Sequence, residues 1–394
     1  MRAFLIAGEA SGDRLGGALM AGLRQLAPRV SFDGIGGPTM QREGLISRFD
    51  MNELSVMGIA EILPKYRRLR QRLVETARAV LDSRPDVLIT IDSPDFCLRV
   101  ARRVRRAAPE IRIVHYVAPS VWAWRPGRAA KMAGCVDQVL ALLPFEPPLM
   151  EAAGMRCDFV GHPVVAEPRA SPAQVHAFRA GHGLQGASVL LLLPGSRQGE
   201  VKRLAPVFGQ VLERLIRARP DLRPVVPAAP GVAGIVAEAV RAWPGDPIVL
   251  DPRALPAELA EARKRQAFAA ADLALAASGT VSLELCAART PMVVAYDMSW
   301  PSWKIMSALA RVDTITLANL ITGTRTIPEF LGPRCRAGPI AGALERLLSD
   351  RTARAEQIKV MERSMRALGQ GGAAPGLRAA RAVLEGLARR PARG

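Results

Sequence analysis

Two segments constrain this chain more than any others. Leu190-Leu-Leu-Leu-Pro-Gly-Ser-Arg197 and Ala276-Ala-Ser-Gly-Thr-Val-Ser-Leu-Glu284 each read as an apolar strand that stops at small or turn-forming residues and opens a helix. Uninterrupted apolar strands followed at once by helices belong to parallel sheets covered on both faces. The N-terminus of each helix has unpaired N–H groups and the positive end of a macrodipole, so it favours a phosphate. Gly195 and Gly279 let a ligand approach the main chain. Ser196, Ser278 and Thr280 add hydroxyls, and Arg197 adds a planar cationic fork. Glu284, one helical turn beyond Thr280, is placed to accept hydrogen bonds from a ribose diol. Two such turns suggest a nucleotide diphosphate. The competing reading is that every doubly wound sheet has glycine-bearing turns of this kind.

The same alternation runs through the chain. In the first half, strands are predicted at 4–7, 30–34, 87–91, 111–117, 136–142 and 157–160, with helices at 14–26 and 96–107. After a Pro- and Gly-bearing stretch at 164–187 the pattern restarts, with strands at 189–193, 225–227, 248–250, 273–276 and 292–295. Helices are predicted at 201–218, 257–270 and 281–288, and a last amphipathic helix at 377–387. This is an α/β chain with two similar open domains, 1–164 and 165–365, and ligands expected beyond the carboxyl ends of the strands, in a central cleft.

With 49% hydrophobic but only 5% aromatic residues, aliphatic side chains must fill the interior. The five cysteines form no CxxC pair, and the four histidines never fall at ligand spacing, so neither a zinc site, another metal nor a disulfide scaffold is expected. The start is too short for a signal peptide. No apolar run reaches the roughly 18–20 residues of a bilayer span, so a cytoplasmic location is expected. The formal charge of +18 attracts anions, whether nucleic acid, lipid headgroups or phosphorylated substrates. Against nucleic acid, the arginines are spread along the chain and no recognition motif appears. The run Arg99-Val-Ala-Arg-Arg-Val-Arg-Arg106 reads as a solvated helix face.

Three constellations suit chemistry. The first turn, Ala7-Gly-Glu-Ala-Ser-Gly-Asp13, lacks the dinucleotide fingerprint but offers Gly8, Glu9, Ser11 and Gly12 to a ligand. Asp13 is read as a cap or turn-former. Thr90-Ile-Asp-Ser-Pro-Asp95 puts Asp92 at the carboxyl end of a buried strand, where it suits a general base for a sugar hydroxyl. Asp95 has the simpler job of a helix-start charge. His115-Tyr-Val-Ala-Pro-Ser-Val-Trp-Ala-Trp124 sets Ser120, Trp122 and Trp124 on a loop that suits a sugar or acyl wall or ordinary packing, and His115 reads as core. Finally, Val56, Met57, Ile59, Ile62, Leu63 and Leu69 are placed to insert among acyl chains while Lys65, Arg67, Arg68 and Arg70 meet anionic headgroups. A core helix with a solvated end is the alternative.

These motifs, with Met57-Gly-Ile-Ala-Glu61, Leu143-Pro-Phe-Glu146 and Ala277-Ser-Gly-Thr280, resemble in order those of the lipid-A-disaccharide synthase family over about residues 3–335. The resemblance implies a GT-B glycosyltransferase with two Rossmann-like domains. Such enzymes join UDP-2,3-diacylglucosamine to 2,3-diacylglucosamine 1-phosphate, giving a β-1,6-linked disaccharide 1-phosphate and UDP with inversion, without a required metal or other cofactor. It implies Asp92 as base, Arg197 and Glu284 as UDP contacts, and Asn319 as a donor-site residue. It also implies peripheral attachment through 54–69 to the inner face of the cytoplasmic membrane, and a final segment 366–394 packed on the first domain. Arg125-Pro126, where the family often has a small residue, and the basic C-terminal tail depart from the pattern. The sequence leaves monomer or homodimer open. A UDP-sugar 2-epimerase is the alternative with the same fold.

Overall fold

The structure, a computed structural model, describes residues 1–54 and 59–389, without the side chains of 59–66. The chain divides into two compact units, one formed by residues 1–166 with 368 onward and the other by Glu167–Ala367.

The first unit has six strands: β1 (Arg2–Ala7), β2 (Ser31–Ile35), β3 (Val87–Ile91), β4 (Arg112–Tyr116), β5 (Gln138–Ala141) and β6 (Arg156–Phe159). Their order is β2-β1-β3-β4-β5-β6, all pairs parallel. Phe4, Leu5, Ile6, Leu88, Ile89 and Val114 are fully buried, because helices cover both faces of the central strands. The second unit has β7 (Ser188–Leu193), β8 (Leu222–Pro227), β9 (Ile248–Leu250), β10 (Leu273–Ala277), β11 (Met292–Tyr296) and β12 (Glu329–Leu331). These too are parallel, in the order β12-β11-β10-β7-β8-β9.

Each order reverses once, between β1 and β3 in the first sheet and between β7 and β10 in the second. At such a switch point the two following loops diverge to opposite faces and leave a crevice at the strands' carboxyl ends. The topology therefore designates two places for ligands before any side chain is considered.

Two predicted strands overran. Residue 117 was read into the strand ending β4, but Val117 has φ +85, which breaks the extended run. β5 stops at Ala141 rather than 142. β12 was not foreseen: three residues at a sheet edge give no apolar run to read. The last helix, Pro375–Ala388, packs against the helix Ala10–Leu26. Two glycines make the approach close: a Cβ on Gly22 would lie 2.7 Å from the Gly376 carbonyl, and one on Gly376 2.4 Å from that of Ala18. Gln138 of β5 clasps the same helix, its amide donating to the Ala382 carbonyl at 2.9 Å.

Candidate active site

The first crevice is built by the turns after β1 and β3. Asp92 follows β3 directly, with φ +52, and Ser93 beside it has φ +41. Two consecutive non-glycine residues in the left-handed region cost about 1–3 kcal/mol each, and such strain persists only where surroundings enforce it. Here the Asp92 N–H is fixed by the Tyr116 carbonyl at 2.9 Å. Ser93 caps the helix Pro94–Ala107 without using its side chain. Its Oγ is buried and unpartnered. A Cβ on Gly8 would lie 2.5 Å from that Oγ, so only glycine fits there. The Asp92 carboxylate is half-buried, and burial raises it above the ordinary carboxylate value, although the Ser93 main-chain N–H opposes the shift. Among the described residues no cation pairs with it.

Asp13 has the structural task expected of it. Its carboxylate accepts the main-chain N–H groups of Gly37 and Thr39 at 2.8 Å and of Met40 at 3.0 Å, pinning the turn after β2. Glu9 stands at the N-terminus of the helix Ala10–Leu26, Gly12 packs over the Ile91 carbonyl, and Ser11 is exposed. His115 lies in β4 opposite Thr90, whose Oγ1 is 2.8 Å from Nδ1; burial lowers the imidazole to about 4.

The loop after β4 adjoins this turn, because β4 pairs with β3. Trp122 stacks edge-on against Phe145 and donates Nε1–H to Glu146 at 3.3 Å. Glu146 is 4% exposed, and burial pushes its carboxyl up to about 7. Trp124 lies under the guanidinium groups of Arg125 and Arg128. Ser120 is exposed at the loop's start. Trp122 is braced by these contacts and half-buried, and Trp124 is half-buried under its cationic cover.

The second crevice is built by the turns after β7 and β10. Gly195 has φ +119, and a Cβ there would lie 2.6 Å from the Glu200 side chain. Glu200, 9% exposed, accepts the N–H groups of Ser196 and Arg197 at 3.0 and 3.3 Å, and the Arg197 guanidinium at 3.0 Å. The turn expected to offer its N–H groups to a phosphate therefore has two of them on an internal carboxylate. The sequence reading missed Glu200, although its spacing from Arg197 is that of a capping box. Arg197 itself remains largely exposed. Across the sheet, Gly279 has φ +147 with open space around its Cβ direction, and Thr280 starts the helix Val281–Ala288 with its side chain uncommitted to a cap. Ser278 is half-buried beside them.

Glu284 is held by Lys264 at 2.8 Å, a partner in the helix Ala257–Ala270 that no local pattern announces. Burial alone would lower the Lys264 ammonium; Glu284 and Glu261 outweigh it and leave the group raised. Asn319, expected as a donor-site residue, is placed on the helix Leu317–Thr322. It is fully buried, its Nδ2 donates to the Ile327 carbonyl at 2.9 Å, and its Oδ1 accepts the Ile327 N–H at 3.1 Å. Both ends of its amide brace the loop that follows its helix, Leu317–Thr322.

Val56 and Met57 lie outside the described residues, as do the side chains of Ile59, Ile62, Leu63 and Lys65. The helix Ile59–Ser83 runs through this segment; Arg67 and Arg68 are exposed on it and Leu69 is half-buried. Arg68 and Arg72 share Glu53, both at 2.8 Å, and hold its carboxyl down at about 2. Among the described residues, no helix is long and apolar enough to cross a membrane. The arginine run 99–106 is more than a solvated face. Val100, Ala101 and Val104 are buried, while Arg99, Arg102, Arg103 and Arg106 line a groove of about 740 Å³ that begins at Ser93 and Asp95.

Two Rossmann-like parallel sheets, each with its candidate residues at the switch point, define the GT-B class. A UDP-GlcNAc 2-epimerase from Neisseria meningitidis bound to UDP-GlcNAc matches with TM-score 0.65 at 11% identity, covering 99% of this chain and 100% of that one. A trehalose-6-phosphate synthase matches with TM-score 0.62, also at 11% identity, over 99% and 100% of the two chains. At such identity the likeness shows the fold alone.

The chain belongs to the lipid-A-disaccharide synthase family: residues 3–376 match the family model described as lipid-A-disaccharide synthetase. A lipid-A-disaccharide synthase from Ruegeria pomeroyi is 62% identical over 387 residues, 98% of this chain and 96% of the relative. Another from Rhodospirillum centenum is 49% identical over 389 residues, 98% and 95% of the two chains. The chain is accordingly a hexosyltransferase of lipid A disaccharide synthesis, as the ordered motifs implied.

Proposed function

We propose that the enzyme transfers the sugar of UDP-2,3-diacylglucosamine to 2,3-diacylglucosamine 1-phosphate in a single inverting displacement, with Asp92 as the base. The observation behind this role is that Asp92 stands at the β1/β3 switch point, unpaired by any described cation and raised by burial. It takes the proton of the acceptor's primary hydroxyl as that oxygen attacks the anomeric carbon. The bond from that carbon to the UDP oxygen breaks with the leaving group's electron pair. The product is the β-1,6-linked disaccharide 1-phosphate.

In this reading residues 1–164 form the acceptor unit, with Gly8, Glu9, Ser11, Gly12, Ser120, Trp122 and Trp124 around the sugar. Residues 165–365 form the donor unit. Arg197 and Thr280 meet the diphosphate as its charge develops, aided by Ser196, Ser278 and the turns at Gly195 and Gly279. Glu284 accepts from the ribose, and Asn319 keeps the neighbouring loop in place. The apolar and basic segment 54–69 rests on the inner face of the cytoplasmic membrane, where both acylated substrates reside. The epimerase reading has only a distant likeness of fold behind it.

The test is mass spectrometry of the products from purified enzyme, both substrates and detergent, without added metal. A tetra-acylated disaccharide monophosphate is expected. UDP release without disaccharide would point to hydrolysis or epimerisation instead.

A further inference from the structure

The groove that begins at Ser93, the residue after the candidate base, has two unlike walls. Leu54, Leu69 and Leu73 form one side, which also carries the exposed Arg70, and Phe96 faces it from the helix Pro94–Ala107. Arg99, Arg103 and Arg106 form the other, spaced along one face of the helix Pro94–Ala107 whose opposite face is core. All three are exposed, and among the described residues none has a carboxylate partner. Arg70 and Arg102 also line the groove without a carboxylate partner among the described residues, whereas Arg105 on the same helix is paired with Asp137. The acidic residues that line the groove, Glu9 and Asp95, sit at its switch-point end. Carboxylates therefore stand at the switch-point end, while Arg99, Arg103 and Arg106 follow one another along the helix away from it.

Its volume of about 740 Å³ is that of a small-molecule site. Arg99 lies five residues past the helix start, about 7–8 Å of rise, which is the scale of one hexose ring. We infer that this groove seats the acceptor, with an acyl chain along the leucines and Phe96 and the phosphate monoester on Arg99, Arg103 and Arg106. This assignment rests on the transferase reading. An anion repelled by Asp95 and drawn toward Arg103 holds the sugar between the arginines and the switch point, and in this assignment its primary hydroxyl turns to Asp92. Arginine suits the task because its fork grips phosphate at two points and stays charged.

The experiment compares two acceptors in neutral detergent micelles, 2,3-diacylglucosamine 1-phosphate and the same lipid without phosphate. For Arg103→Ala combined with Arg106→Ala, KM for the phosphorylated acceptor should rise about tenfold or more, the loss of charge-assisted hydrogen bonds. The advantage of the phosphorylated over the unphosphorylated acceptor should shrink accordingly, KM for the UDP-sugar should hold, and Arg103→Lys should recover part of the loss. Binding of the phosphorylated lipid is measured alongside by equilibrium partition. Arginine-dependent binding without any disaccharide would overturn the transferase reading and keep the groove. An unchanged preference between the two acceptors would overturn the inference. So would a defect that appears only with anionic phospholipid vesicles, since the arginines would then serve the membrane surface.

Discussion

At the β1/β3 switch point Asp92 stands half-buried without a cation among the described residues, in strained main chain. At the β7/β10 switch point the charged candidates are already matched, Arg197 to Glu200 and Glu284 to Lys264. The crevices come from the same topology, yet one holds a carboxylate that no described cation pairs and the other a pre-arranged set of pairs. A group that must take a proton gains from poor solvation, which lifts its basicity. Groups that must grip a fixed ligand gain from being positioned in advance. In the proposed reading the difference separates a place for proton transfer from a place for binding.

Substitutions can break this contrast from either side. The largest effect is expected from Asp92→Asn, with kcat lower by about 10³-fold. In the wild type a base must be ionised, and burial raises Asp92, so the acid limb of the activity should lie above the ordinary aspartate value. A pH–rate profile with its acid limb in the ordinary aspartate range would contradict this. Gly195→Ala should cost about 1–3 kcal/mol, because the new Cβ meets Glu200 in a left-handed turn. Thermal unfolding and UDP titration would both register it.

Lys264→Met should weaken UDP about three- to tenfold by freeing Glu284. It should also narrow the preference of UDP over 2′-deoxy-UDP, which a merely structural lysine would leave alone. The smallest effect concerns the Trp122 loop. Glu146 is raised from 4.5 to about 7, so the fold favours its protonated form. That stabilisation is complete below pH 4.5 and is lost as pH rises through about 7. Melting curves of Glu146→Gln against wild type should therefore converge at low pH and separate above neutrality, with the variant the more stable.

The fold was legible because strands buried on both faces read as apolar runs, as at 87–91 and 189–193. Asp92 was legible because it follows such a run with no helix to start. The rest depends on distance. Lys264 reaches Glu284 from another helix, the arginine run gains its groove only from the helix Ile59–Ser83, and Asn319 becomes a brace only because Ile327 folds back onto it. Glu200 was within reach, since its place three residues after Arg197 marks a helix start.

The division of labour between the two crevices is tested most directly by titrating UDP into wild type, Asp92→Asn and Arg197→Ala while following turnover in each. The account predicts unchanged UDP affinity with turnover lost in Asp92→Asn, and affinity at least about tenfold weaker in Arg197→Ala. UDP affinity lost in Asp92→Asn, or turnover retained there, would contradict it.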